Sequence, residues 1–443
     1  MWLASRDEYR RILALALPIV GGMISQAIMN VVDAALVGIL GAEALAGVGV
    51  GGYAVFFVSS LVMGLGSGVQ AVAGRRFGEG KTRDCAHGLH AGLLIALVLS
   101  VVLIPLVYTL SSPLMLLMNK DPNVQHAAIP YLQIRTLSIL AIGLNFSFRG
   151  FLNAINLSHI YMRTLICMHV LNGLLSYLLI FGKWGFPEMG VAGAAWGTTL
   201  SMYLGSILYA HSTWQYAKQH GFLKVRLTRQ SLNTVFHLAM PNSIQSLFFS
   251  AGLIMLFWII GHIGSAEVAV AHALVTLMLF MILPAMGIGM AAATLVSQAL
   301  GQGEPEEAYW WAWRTSMVCI AILFIPGLLL ITVPDAVLSL FFHKPALIEL
   351  GRTPLQLTGW MVGVEAIVMI LPQALLGAGA SQVVMRITVL SQWGMFLPLA
   401  WAIGPWGGHG LWAIWILHSV YRLMTAIIFA YYWIRKDWQR IHV

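Results

Sequence analysis

Charge is what this sequence has least of. Asp, Glu, Lys and Arg together make up 9% of its 443 residues, against about 25% in an ordinary soluble chain. With 59% hydrophobic residues there is more apolar side chain than a water-soluble core can use, so the chain reads as a polytopic membrane protein. Cysteine is nearly absent: Cys85, Cys167 and Cys319 stand far apart and match no disulfide or metal-site spacing. A nucleophile elbow, a P-loop, a zinc box and a dinucleotide fingerprint are all missing. Gly64-Leu-Gly66 and Gly287-Ile-Gly289 lie inside apolar runs, without a strand–loop–helix context, and read as close helix packing. A membrane enzyme is therefore disfavoured, and neither a metal nor a cofactor is expected. The N-terminus leads directly into an apolar stretch with no short h-region and cleavage site, so no removable signal peptide is expected. The net charge of +8 sits in short loops and reads as membrane topology rather than nucleic-acid binding.

Long apolar runs are what is there instead. Twelve spans are expected, roughly 11–39, 46–74, 86–110, 128–151, 162–182, 190–216, 235–260, 268–298, 310–333, 353–378, 385–404 and 410–434. They are too long and unbroken for barrel strands. Arg6, Arg10, Arg11, Arg75, Arg76, Lys81, Arg83, Arg163, Lys218, Lys224, Arg226, Arg229, Arg386, Arg435, Lys436 and Arg440 fall on one side; only Lys120, Lys183, Lys344 and Arg352 fall on the other. The excess marks the first side, with both termini, as cytoplasmic in a cell (inner) membrane.

The chain repeats itself. Pro18 recurs as Pro241, Gly38 as Gly261, Gly64 as Gly287, Gly78 as Gly301 and Pro122 as Pro345, each pair 223 residues apart. Two six-span halves follow: an N-terminal lobe over 1–216, a linker over 217–234 and a C-terminal lobe over 235–443. Six is even, so both halves insert the same way up, as parallel repeats with a substrate site expected between them.

Few ionisable residues fall inside the spans. Asp33 lies in the stretch Pro18 to Gly38 and is placed near mid-membrane. Gln26, Asn30 and Asp33 stand at i, i+4 and i+7 on one helical face. A carboxylate there costs roughly 2.5–3.5 kcal/mol, so it is expected to face a wet interior and do work. Span 5 carries His169, Asn172 and Ser176 at i, i+3 and i+7, a face expected to meet that of span 1; site lining and a simple helix–helix hydrogen bond are balanced for Asn172, and His169 reads as a packing residue. Glu365 and Arg422 lie near the centres of spans 10 and 12. Mutual pairing is the simplest reading; the one favoured is that Glu365 lines the cavity of its lobe as a second cation site. Arg135 is expected to snorkel to the outer interface. A buried Asp33 would take a proton on one side and release it on the other, competing with an organic cation. Pro18 removes one helical hydrogen bond and supplies either a hinge or a static kink in span 1.

Several stretches resemble the multidrug and toxic compound extrusion (MATE) family. They are the proline early in span 1, Val-Val-Asp33-Ala-Ala-Leu-Val-Gly, the Gly-X-Gly ending span 2 with Arg-Arg-Phe-Gly-Glu-Gly-Lys after it, Tyr131-Leu-Gln-Ile-Arg135, Arg149-Gly150, Pro187-Glu188 through Thr198, and Ser297-Gln298-Ala-Leu-Gly301. The resemblance covers nearly the whole chain. It implies an all-α, V-shaped two-lobe exporter that expels cationic amphipathic compounds in exchange for H⁺ or Na⁺. Asp33 matches the family's essential span 1 Asp, Asn172 a span 5 Asn of the N-lobe cation site, and Pro18 the proline at which span 1 is proposed to bend. Ser176 stands where DinF-type members often carry an acid, and Ser250 where NorM-type members do; Glu365 matches the NorM-type span 10 acid, so the chain lies between the two. The coupling group is accordingly expected to be Asp33, Asn30, Asn172 and Ser176, and the substrate cavity to include Gln26, Tyr131, Asn153, Thr198 and Glu365. H⁺ is the expected coupling ion, since a carboxylate among amides needs only a proton for neutrality; Na⁺ coupling is the alternative. A lipid-linked oligosaccharide flippase is the second reading, disfavoured by the acidic N-lobe charge. A non-transporting scaffold is the third. The partners expected are the bilayer and cationic drugs, with a functional monomer and no nucleic acid.

Overall fold

The computed structural model describes residues 5–118 and 121–441, and no strand occurs among them. Lys120, counted above on the outer side, lies outside the described residues, as do the first four residues of the N-terminal lead. The helices are α1 (Arg6–Gly38), α2 (Ala42–Met63), α3 (Leu65–Gly78), α4 (Ala86–Met118), α5 (Pro122–Thr136), α6 (Ile139–Ala154), α7 (Ser158–Phe181) and α8 (Gly190–Tyr216). They continue as α9 (Arg229–Gly261), α10 (Ser265–Gly301), α11 (Pro305–Thr332), the short α12 (Pro334–Ser339), α13 (Pro345–Trp360), α14 (Val362–Ala378), α15 (Ser381–Val389), α16 (Leu397–Trp401) and α17 (Leu411–Ile434).

Nine segments among the described residues are long and apolar enough to cross a membrane, and eleven if each of two bent pairs is one span. The pairs are α5–α6, bent by 49°, and α13–α14, bent by 55°; they are the expected spans 4 and 10. The expected sixth span forms the 27-residue α8. Its Gly, Ser and Thr content leaves it outside the apolar set, though at 1.5 Å per residue it is long enough to cross. The 223-residue register reappears in the backbone. α9 repeats α1 at both ends, and the turns after α3 and α10 place Gly80 (φ 72°) and Gly303 (φ 78°) in the left-handed region that glycine adopts without strain.

The chain packs as two compact units. One runs over Gly21–Leu247; the other joins the start of α1, up to Val20, to the residues from Phe248 onward. In the second unit Ile12, Leu15 and Ala16 of α1 share a core with Leu295, Trp311, Ile370 and Phe429. Arg11 donates to Gln298 Oε1 at 3.0 Å, and Arg314 pairs with Glu8 at 2.6 Å. The division within α1 falls just past Pro18, the one proline inside that helix.

In the first unit α7 and α8 pack at glycine distances. A methyl group added at Gly197 would sit 2.5 Å from Ser176 Oγ and 2.6 Å from Ser176 N. Only the missing Cβ allows that approach.

One expectation needs correction here. Asp33 is not central in its span. α1 runs from Arg6 to Gly38, so Asp33 stands five residues, about 7.5 Å, from the C-terminal end of the helix and 27 from its start.

Candidate functional site

The polar stripes of α1 and α7 meet within the Gly21–Leu247 unit. Asn172 Nδ2 donates to Asp33 Oδ2 at 3.3 Å, and Ser176 Oγ donates to Asn172 Oδ1 at 2.9 Å. Both α7 residues are buried, Ser176 completely. One turn spacing on α7 therefore fixes the amide: its oxygen is taken by Ser176 and its NH₂ is turned to the carboxylate. The other carboxylate oxygen, Asp33 Oδ1, is buried and has no hydrogen-bond partner among the described residues.

A second set of bonds lies earlier along the same faces. His169 Nε2 meets Gln26 Oε1 at 3.1 Å and His169 Nδ1 meets Ser25 Oγ at 2.8 Å. Gln26 Nε2 in turn donates to Asn30 Oδ1 at 3.1 Å. The Gln26 oxygen can only accept, so the proton sits on His169 Nε2 and the Ser25 hydroxyl donates to Nδ1. His169, expected to be a packing residue, thus ties α7 to α1 by two hydrogen bonds. Ser25 was missed because it lies off the i, i+4, i+7 stripe that picked out Gln26, Asn30 and Asp33.

Arg135 does not snorkel. It is buried at the α5–α6 bend, where Nη1 donates to Ser138 Oγ at 3.0 Å, and its charge lies within electrostatic reach of Asp33. The bend places it: α5 ends at Thr136, and Leu137 and Ser138 turn the chain before α6. An acid and a base inside the apolar spans of one half was the signal available in the sequence.

The expected cavity residues are more scattered. Gln26 and Asn30 are exposed on the α1 face. Tyr131 is buried against Gly51 of α2. Thr198 donates to Ala194 O at 3.0 Å, one turn back on α8. Asn153 is fully buried near the end of α6, about 22 Å along that helix from Ser138 at 1.5 Å per residue, and so lies away from the end that holds Arg135 and Asp33. Glu365 belongs to the other unit, where Arg422 Nε donates to Oε1 at 2.7 Å and Arg422 Nη2 to Oε2. This two-pronged pair is the simpler of the two arrangements its sequence allowed. The carboxylate still forms part of a small pocket with Met278, Met281, Leu323 and Met369.

This arrangement can hold a proton or a cation against a partly unsatisfied carboxylate. The MatE family model matches the chain twice, over residues 18–178 and 241–402. The chain belongs to the MatE family. The two matches begin at Pro18 and Pro241, the same repeat offset, and the MATE family is one of transporters rather than enzymes. Among curated proteins, this MATE chain is 25% identical to a probable multidrug resistance protein NorM of Agrobacterium fabrum, covering 92% of this chain and 90% of that one. It is 28% identical to a probable NorM of Bradyrhizobium diazoefficiens, with 94% and 90% covered. Its fold is that of an outward-facing multidrug resistance MATE transporter of the MOP superfamily (TM-score 0.88, 21% identity, 98% and 97% covered). A MOP superfamily transporter from Pyrococcus furiosus shares it as well (TM-score 0.87, 21% identity, 98% and 97% covered). The protein is thus a multi-pass membrane transporter of the MATE family.

Proposed function

We propose that this MATE protein is a multidrug exporter that antiports cationic amphipathic compounds against H⁺, with Asp33 as the coupling carboxylate. The multidrug assignment rests on family membership and on the curated relatives named multidrug resistance proteins. The coupling assignment rests on one observation: Asp33 Oδ1 is buried without a donor while Oδ2 holds only the Asn172 NH₂. A buried ionised carboxylate short of donors is costly, and protonation removes most of that cost. The orientation of the amide supports H⁺ as the ion. Asn172 offers Asp33 its NH₂ and spends its oxygen on Ser176, whereas Na⁺ binding would require oxygens turned toward it, as hard cations demand. Arg135 supplies a nearby counter-charge when the proton is off. Pro18 leaves α1 one hydrogen bond short, so bending of that helix is cheapest there, next to where its packing changes unit. Glu365, held by Arg422, has no part in cation coupling in this scheme.

The test is efflux of a fluorescent lipophilic cation from loaded vesicles, with a pH gradient and a Na⁺ gradient imposed separately. Wild type should respond to the pH gradient alone, and Asp33→Asn should abolish the response. Efflux driven only by Na⁺ would overturn the proton assignment. Equal transport by wild type and Asp33→Asn would overturn the role of Asp33. No dye movement under either gradient would overturn the drug-exporter reading in favour of the flippase.

A further inference from the structure

A groove runs between α4 and the start of α9, inside the Gly21–Leu247 unit. Leu94, Ile95 and Val98 line it from α4, and Arg229, Leu232 and Phe236 from α9. Both helices are membrane-span candidates, and Val98 (56% exposed) and Phe236 (42%) turn their side chains outward. Along α9 the polar residues come first: Arg229, Gln230 and Asn233 precede Phe236. Along α4, His90 lies one turn before Leu94. His90 Nε2 accepts the Leu223 N–H at 3.2 Å, and its ring meets Phe222 at 5.9 Å. The loop between α8 and α9 is thereby held at the same end of the groove as Arg229, and it brings Lys224 and Arg226. All three cations are exposed, and none has a side-chain hydrogen bond or ion pair among the described residues.

The groove is therefore cationic at one end and apolar along its length. Helical rise puts Phe236 about 10 Å from Arg229, and Val98 about 12 Å from His90. That is the dimension of a headgroup with the upper part of an acyl chain. A transported organic cation would be repelled by the unpaired basic end, whereas basic pockets between spans on the cytoplasmic side attract acidic lipid headgroups. The charge distribution places this end on the side carrying the excess of Lys and Arg. We propose that the α4–α9 groove is a binding site for an anionic phospholipid, its phosphate met by Arg229, Lys224 and Arg226 and an acyl chain lying along Leu94, Val98 and Phe236. The site is independent of the Asp33 constellation and of which ion drives transport.

Native mass spectrometry of the full-length protein, equilibrated with equal amounts of dioleoyl phosphatidylglycerol and dioleoyl phosphatidylcholine, tests it. Wild type should retain phosphatidylglycerol in excess. Arg229→Ala should lower that preference on the order of fivefold, the equivalent of ~1 kcal/mol per basic residue at an acidic lipid. Val98→Trp, which fills the apolar part, should remove one bound lipid, while Arg386→Ala, an exposed basic residue of the other unit, should change nothing. A wild-type preference in Arg229→Ala overturns the proposal. So does an equal loss in Arg386→Ala, which would reveal general surface charge. Displacement by inorganic phosphate with Val98→Trp silent would mark a simple anion site and overturn it as well.

Discussion

Replacing Gly197 by alanine adds one methyl group where α8 meets α7 beside the coupling residues. The new Cβ would lie 2.5 Å from Ser176 Oγ, 2.6 Å from its N and 2.7 Å from its Cα. The hydroxyl could rotate aside, but the backbone atoms could not, so the two helices must part by about 1 Å to reach ordinary contact. Overpacking of this kind costs ~1–3 kcal/mol, and the helix-propensity gain of Gly→Ala returns up to ~1 kcal/mol. Because backbone atoms block the methyl, the cost belongs at the upper end, ~2–3 kcal/mol, and a net loss of ~1–2 kcal/mol remains. Gly49, on α2, has nothing within 4 Å of its would-be Cβ, so Gly49→Ala measures the propensity gain alone and should be neutral or slightly stabilising. Function should suffer beyond stability. A Ser176 hydroxyl turned aside by the new methyl gives up its 2.9 Å bond to Asn172 and frees the Asn172 amide to turn its oxygen toward Asp33. Thermal unfolding in detergent, followed by tryptophan fluorescence, gives the first readout, and efflux driven by a pH gradient the second. Wild-type unfolding and wild-type efflux in Gly197→Ala would refute both the tight approach and the part that the fixed amide plays.

Two further outcomes follow from charge and burial. Arg422→Met strands the Glu365 carboxylate in a buried site and should destabilise by ~3–5 kcal/mol, while Glu365→Met with Arg422→Met should recover most of it; thermal unfolding of the single and double variants decides, and an unchanged single variant would show that the pair is not desolvated. His220 lies outside the spans, buried against Phe77. Burial lowers its ring from the ordinary 6.5, only partly offset by a backbone hydrogen bond at Thr82. A lowered folded pKa means the undocked loop takes up the proton first. Docking of residues 217–226 should therefore be at full strength above pH 6.5 and weaken as pH falls below it. Amide hydrogen exchange of that loop against pH measures this, and His220→Gln should flatten the dependence.

How much of the site could be read in the sequence varies residue by residue. Asp33, Asn172 and Ser176, which hydrogen bonds join, could be picked out because a polar residue in an apolar run is conspicuous and helical spacing assigns it a face; Asn30, picked out with them, is exposed and bonds Gln26 instead. Asp33 was read as central because the stretch from Pro18 to Gly38 was taken around it; five residues before Gly38, it stands toward one end of α1. Arg135 was taken for a snorkelling residue because nothing local reveals the 49° bend that buries it. Ser25 was invisible, since its role comes only from where the His169 ring lies.

The sequence by itself determined the membrane class, the helical spans, the 223-residue repeat and the polar stripes of α1 and α7. These are properties of composition and of short-range periodicity, and a single chain carries them in full. Only the tertiary structure decided which partners those stripes choose. The Asn172 amide meets Asp33 across 139 residues of sequence, and Arg422 takes Glu365 across 57. Such pairings depend on how closely helices approach, which residues without a side chain, such as Gly197, set at a distance of an ångström. Hydropathy and spacing are blind to that distance: Ser176 orients the Asn172 amide within α7, but only the approach of α1 puts Asp33 in front of it.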